Sequence, residues 1–221
     1  VASETEAYES SDSYEETEDI QEADSERAET EENGAICPTY FYYEAESIRP
    51  VKSGILPGKM RKSALPLFLE GPTRWMRTRQ TEAAKRSVAD KVRDSALLDR
   101  RLNMYKLNES LENVSFEVGR TRAFPRGWLE NESIWVHMEY KYLLALLACG
   151  NYDRFFMDFA AMAIPFLPPE TYGRSTLENS SFLVSSVNSD SASHGRGFVS
   201  RLSGSTAEFI CKYFKKGQLI A

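Results

Sequence analysis

Apolar positions recur in steps of four along residues 81–92. Ala84, Val88 and Val92 fall on one face of a helix that Thr81 can cap, with Glu82 in its first turn. A stronger pattern runs from Ile134 to Cys149 and is closed by Gly150 as a C′ residue. Its second half, Tyr142 to Cys149, is apolar nearly all round, as in the wall of a helical barrel or bundle. A further helix is predicted from Asp153 to Ala163, stopped by Pro165, with Phe155, Phe156, Phe159, Ala160 and Ala163 as its apolar face. The last helix is predicted to begin at Ser205 or Thr206, with Glu208 near its positive end. Between these lie weaker signals. Tyr40 to Tyr43 reads as a short strand, Ser53 to Pro57 as loop, and Ala96 to Met104 as a second short helical stretch. Leu65 to Pro72 leads into helical sequence, and residues 166–200 read as long loops with short extended pieces. No repeat of fixed period appears. Helices in pairs alternating with long loops predict an all-α toroid rather than a βαβ sheet, and a loop as long as 166–200 is usually functional.

Composition divides the chain. Residues 1–32 hold fourteen acids and one base, Arg27, whereas residues 33–221 carry nineteen acids and 26 bases. The overall net charge of −6 therefore describes neither part. Residues 1–35 are predicted to be disordered, because Glu, Ser, Thr, Asp and Ala bury too little apolar surface to offset the entropy of ordering. Such a segment is either an acidic interaction tail or a solvated linker. The remainder is long enough for one ordinary domain, or for a large part of a bigger one. Its modest positive excess suits a small anionic ligand. Nucleic acid is not an expected partner, since no Lys/Arg run is interleaved with aromatics. A membrane is not expected either, for no apolar run reaches transmembrane length. The first residue is Val and no signal peptide is visible, although an incomplete chain can have lost one. Cys37, Cys149 and Cys211 are odd in number and lack metal-like spacing, which points to a reduced, cytoplasmic protein. Sequons at Asn108, Asn113, Asn131 and Asn179 argue weakly the other way.

Three constellations carry candidate chemistry. His137 stands in the opening turn of the 134–149 helix, where unsatisfied N–H groups and the positive dipole end favour an anion. It is either such a ligand or a structural histidine. Arg201-Leu202-Ser203-Gly204-Ser205-Thr206 precedes the last helix: Ser203 offers a hydroxyl, and Gly204 lets a ligand approach the backbone N–H. A plain Ser/Thr cap accounts for the same residues. His194-Gly195-Arg196-Gly197 forms a small donor-rich loop. Glu130, Glu132, Glu139 and Glu178 supply carboxylates, whose solvated or structural use is the more common one.

Longer stretches carry a resemblance. Leu65-Pro66-Leu67-Phe68-Leu69-Glu70-Gly71-Pro72 and Met104-Tyr105-Lys106-Leu107-Asn108-Glu109-Ser110-Leu111 resemble the barrel domain of 1,2-β-oligoglucan phosphorylases. So do Gly127 to Trp135, Tyr172 to Phe182, His194 to Phe198, and Arg201 to Phe209. These enzymes belong with the cellobiose and chitobiose phosphorylases, and the match covers roughly Tyr40 to Phe209. The resemblance implies the late portion of an (α/α)6 barrel over residues 36–209, between the acidic segment and a divergent tail at 210–221. It also implies phosphorolysis of a β-glucoside with inversion, giving α-glucose 1-phosphate.

The family motif Asn-(Gly/Glu)-X-(Ile/Val)-X-X-His falls on Asn131 to His137, which gives His137 a phosphate-binding role by resemblance. A Ser/Thr-Gly pair before a helix falls on Ser203 and Gly204. Glu178, Asn179 and Arg196 are the residues expected near the sugar. Phosphate arrives ionised, so the reaction needs no base to make its nucleophile. It needs a carboxylic acid for the departing oxygen and a donor cradle for the anion. The family's acid is an Asp in a Gly-Asp-Trp-Asn-Asp-like segment upstream of the matched region. No such segment occurs here, and an upstream phosphate-binding Arg is missing too. After Phe209 the family continues through an apolar helix with a Met-Trp pair, whereas this chain reads Ile210-Cys211-Lys212-Tyr213 and ends at Ala221, as a truncation or a shifted frame would give. Phosphorolytic activity is therefore not expected from this chain alone. The expected ligands are inorganic phosphate as co-substrate and a β-glucan oligosaccharide, with no other cofactor and no metal. A homo-oligomer is possible for the full-length protein. A non-catalytic carbohydrate- or partner-binding remnant is the alternative from another class. A hydrolase on the same barrel is a third reading, and would need a base carboxylate facing water.

Overall fold

The computed structural model describes residues 36–163, 180–200 and 204–217. The segment 1–35, predicted to be disordered, lies outside the described residues. Nine strands and six α-helices occur among them. A first strand, β1 (Phe41–Ala45), pairs with β4 (Met60–Ala64), and β2 (Ile48–Val51) pairs with β3 (Gly54–Pro57), both antiparallel. Helices α1 (Glu70–Met76) and α2 (Glu82–Asp94) follow, then the two-residue strands β5 (Leu98–Asp99) and β6 (Met104–Tyr105). A single turn, α3 (Arg120–Ala123), precedes β7 (Ile134–Trp135), which runs directly into α4 (Val136–Ala148). Then come α5 (Tyr152–Met162), β8 (Ser180–Leu183), β9 (Gly197–Ser200) and α6 (Gly204–Gly217).

The predicted all-α toroid is contradicted: the chain is mixed, with helices and several small antiparallel sheets. The physical reason lies in three segments. Ser53 to Pro57, expected as loop, is largely strand, opposed residue for residue to Ile48–Val51. Ala96 to Met104, expected as helix, is instead a turn between β5 and β6. The Asp99 carboxylate accepts there from the N–H groups of Arg101 and Leu102, each at 3.1 Å. Such a local bond offers the backbone an alternative to a helical ladder. Ile134 and Trp135, expected inside the long helix, pair with Leu183 and Phe182 as the edge of a three-stranded sheet ordered β7-β8-β9.

The helices that carry a cap and an apolar face form as expected. The Thr81 hydroxyl accepts from Ala84 N, and Val88, Ala89 and Val92 are buried. Helix α4 ends at Gly150, whose φ of 68° is the left-handed value that glycine adopts without a Cβ clash. The core is built around α4: Tyr142, Leu143, Ala145, Leu146 and Leu147 are all buried. Against them pack Trp75 and Met76 of α1, Phe155 and Met162 of α5, Phe209 of α6, and Leu183 of β8. Between α5 and α6 the rings of Phe155, Phe159, Phe209 and Tyr213 stack at centroid distances of 5.7–6.4 Å. Of the predicted apolar face of α5, Phe156 is half exposed while Phe155 is fully buried.

Candidate functional site

The start of α4 forms one wall of a cleft of about 430 Å³. His137, Met138 and Lys141 project into it from that helix, and Trp135 adds the end of β7. His137 and Lys141 are four residues apart and so stand on one face. Glu139, Tyr140, Tyr142 and Leu143 turn the other way, into the core. The opposite wall comes from Tyr40, Phe68, Glu70 and Leu107, and Thr121 and Glu130 close it. The Tyr40 and Phe68 rings meet perpendicular to each other at a centroid distance of 4.9 Å, and the Tyr40 hydroxyl donates to Glu70 Oε2 at 3.2 Å. Burial, and then the Glu70 carboxylate, raise the pKa of the Tyr40 phenol.

Charge in the cleft is unequal. Both carboxylates are engaged: Glu70 by Arg74, with Nε to Oε1 at 2.9 Å, and Glu130 by Arg120 through two bonds of 3.0 and 2.6 Å. Lys141 has no ion pair within 4 Å among the described residues. One imidazole and one ammonium, whose charge also helps to lower the Glu208 pKa after that of Lys212, therefore face a space bordered by two neutralised acids. Nearby backbone adds to this. His137 lies in the first turn of a thirteen-residue helix, where the N–H groups point outward with the positive end of the dipole.

The wall behind the cleft is held by backbone bonds and a buried ion cluster. Leu69 N donates to Leu107 O at 2.9 Å, and Leu107 N to Ser133 O at 2.8 Å. The loop Gly127–Ser133 then carries Glu130 outward and Glu132 inward. Leu129 and Glu132 hold φ values of 49° and 57°, a left-handed conformation that costs a non-glycine residue about 1–2 kcal/mol. Glu132 repays that cost with bonds. Its carboxylate accepts from Lys106 Nζ at 2.8 Å and from Arg126, and its backbone N–H donates to Asn108 Oδ1 at 2.9 Å. Burial alone would push the Glu132 carboxyl up, but the bonds from Arg126 and Lys106 prevail and its pKa is lowered.

A second polar group sits deeper. Glu139 is fully buried, and burial pushes its carboxyl up to about 8. One oxygen accepts from Tyr105 N at 2.9 Å; the other has no hydrogen-bond partner among the described residues. The Tyr105 hydroxyl donates to Asp158 Oδ2 at 2.9 Å, and Arg93 pairs with the other oxygen at 2.9 Å. Burial raises the Asp158 pKa too, against the lowering influence of Tyr105, Arg93 and Arg154.

The residues singled out in the sequence are distributed as follows. His137 lines the cleft. Gly204 opens α6, whose Phe209 lies 4.8 Å from the Tyr140 ring of α4. Ser203, Glu178 and Asn179 lie outside the described residues. Arg196 is exposed on the strand-to-strand loop, its backbone paired with Val184, and is not among the residues lining the cleft. His194 is fixed at both ring nitrogens: Nε2 lies 2.8 Å from Asn188 O and Nδ1 2.8 Å from Arg101. An Nε2–H donor and an Nδ1 acceptor satisfy both contacts, so this ring is structural. Sequence reasoning missed Lys141, Tyr40 and Trp135 as cleft residues. Lys141 was legible as the position one helical turn beyond His137; the other two come together only through tertiary packing.

A scan against protein-family models finds no match to this chain, and no curated protein matches it either.

Proposed function

We propose that the cleft at the start of α4 binds inorganic phosphate, and that the chain carries part of the phosphate site of an inverting β-glucan phosphorylase without its catalytic acid. The observation that carries this reading is the pairing of His137 with Lys141, on one helix face, in a cleft whose two carboxylates are already neutralised by Arg74 and Arg120. The resemblance of Asn131 to His137 to the phosphate motif supports it independently. In the reaction of that family a phosphate oxygen attacks the anomeric carbon, the glycosidic C–O bond breaks, and a carboxylic acid protonates the departing oxygen. His137 and Lys141 would hold the anion in line for that attack, and their donors would gain strength as charge moves. Tyr40, Phe68 and Trp135 offer faces on which a sugar ring can pack. The three cysteine thiols suit a reducing, cytoplasmic setting. No helix among the described residues is long and apolar enough to cross a membrane.

A carbohydrate-binding remnant without catalysis is the second reading, favoured by those same aromatics. Calorimetric titration separates the two. Phosphate should bind with a Kd of about 1 mM, which corresponds to roughly −4 kcal/mol. His137→Ala or Lys141→Ala should weaken phosphate binding about tenfold or more, the loss of one charge-assisted bond. Binding of a β-1,2-glucooligosaccharide with no response to phosphate would favour the remnant and refute the phosphate site. Glucose 1-phosphate production from glucan and phosphate should stay at background for the 221-residue chain, and clear turnover would show that a local carboxylate such as Glu130 does the work.

A further inference from the structure

The ribbon of residues 41–64 is a large surface that the cleft leaves unused. Its pairing is continuous: Phe41 opposes Ala64 and Ala45 opposes Met60. The Glu46–Lys59 and Ser47–Gly58 backbone bonds bridge to Ile48 opposite Pro57 and Val51 opposite Gly54. Residues directly opposite share a face and successive residues alternate, so the register sorts the charges. One face carries both acids, Glu44 and Glu46, and each is paired across the ribbon, with Arg61 and with Lys59 respectively. The other face holds Tyr43, Met60, Leu56, Arg49 and Lys62, and no acid. Tyr43 is 63% exposed, Leu56 43% and Met60 44%, so the face is open as well as apolar. Lys62 lies 3.7 Å above the Phe41 ring. Arg49, and Lys52 in the turn, make no ion pair with a described residue.

This combination of aromatic, aliphatic and unpaired cationic groups fits an acidic polypeptide with occasional apolar residues. Residues 1–32 of the same chain have that composition: fourteen acids, one base, and Tyr8, Tyr14 and Ile20 among them. They join the ribbon at its foot. Cys37 is buried there, and the Thr39 hydroxyl donates to Phe68 O at 3.1 Å and accepts from Gly71 N at 2.8 Å. An eleven-residue strand spans about 36 Å, and 35 residues have a contour length of roughly 120 Å, so the segment is long enough to reach the whole face. A second copy is a poorer occupant, because this face would meet its own cations.

We propose that the acidic segment 1–32 docks on the acid-free face of the 41–64 ribbon of its own chain. The contact is electrostatic at Arg49, Lys52 and Lys62 and apolar at Tyr43, Leu56 and Met60. Zero-length carbodiimide crosslinking of the full chain, read by peptide mass spectrometry on mixed light and heavy isotopic chains, tests it. Acids of residues 1–32 should couple to Lys52 and Lys62 within one chain, in preference to Lys85, Lys91 and Lys212. The yield should fall about fivefold between about 0.05 M and 1 M salt, as the screening length shrinks from over 10 Å to about 3 Å. Arg49→Glu should lower coupling at Lys52 and at Lys62 and leave Lys85, Lys91 and Lys212 unchanged; its side chain is exposed, so folding is not at stake. Three outcomes overturn the proposal: no coupling from residues 1–32, coupling spread evenly over all lysines, or coupling that joins light chains to heavy ones.

Discussion

Glu132 and Glu139 stand seven residues apart and obey opposite electrostatics. Glu132 is buried with two cations, and losing it would strand Lys106, which is only 5% exposed. Removing one partner of such a pair costs about 3–5 kcal/mol, because the other charge stays buried and uncompensated. Glu132→Ala should therefore lower the urea midpoint sharply, while Glu130→Ala, whose partner Arg120 is exposed, should barely move it. A small effect of Glu132→Ala would show that the cluster is not built as described. Glu139 has no cation beside it among the described residues and is raised to about 8 in the folded chain, from an ordinary value of 4.5. Its folded state binds the proton more tightly, so its contribution to stability is fully present below pH 4.5 and is lost as pH rises toward 8. One proton gives a slope of at most about 1.4 kcal/mol per pH unit. Glu139→Gln should flatten stability between pH 5 and 8 and leave the variant the more stable protein at pH 8. Unchanged pH dependence in that variant would contradict the burial of an unpaired carboxyl there.

At the scale of elements, caps and apolar steps decided which helices could be read from sequence. Thr81→Ala removes a bond to Ala84 N and should cost about 1 kcal/mol, visible as a lowered Tm. Gly71 is fixed by close approach instead: a Cβ there would lie 2.6 Å from Thr39 Oγ1 and 2.8 Å from Cys37 O. Gly71→Ala should destabilise by more than Thr81→Ala, since Cys37 O is backbone and cannot swing aside; equal melting temperatures would refute the tight packing. The helices at 82–94, 136–148 and 152–162 were legible because their signals are local. The strands were not, for specific reasons. Pro50 and Pro57 within the ribbon, beside Gly54, carry turn signals, and the adjacent Ile55 and Leu56 set no period-two alternation against them. Strands of two residues, such as Leu98–Asp99 and Ile134–Trp135, are too short to show any period. Their pairing is set by partners far away in sequence: Trp135 opposes Phe182.

For the molecule as a whole, the same distinction explains the site. The place of His137 in an opening helical turn was legible because it starts the most strongly patterned helix, which begins at Val136. The toroid was not a sound inference, since apolar runs such as Tyr142 to Cys149 bury equally well between helices and small sheets. Helix α4 touches α1, α5, α6 and β8 at once. The cleft arises from that arrangement: a ribbon foot, a short helix and a long one converge on about 430 Å³. Histidine content makes its central claim open to one direct observation. The chain has two histidines, so a proton–carbon spectrum shows two imidazole sets, assigned with His137→Gln. His194 is an internal control, tied at both nitrogens to Asn188 and Arg101. Titration with inorganic phosphate at constant ionic strength should shift the His137 signals saturably, with a midpoint of about 1 mM, and leave His194 in place; Lys141→Ala should weaken the midpoint about tenfold or more, the loss of one charge-assisted bond. An unmoved His137, or equal movement of both rings, would contradict a phosphate site at the start of this helix.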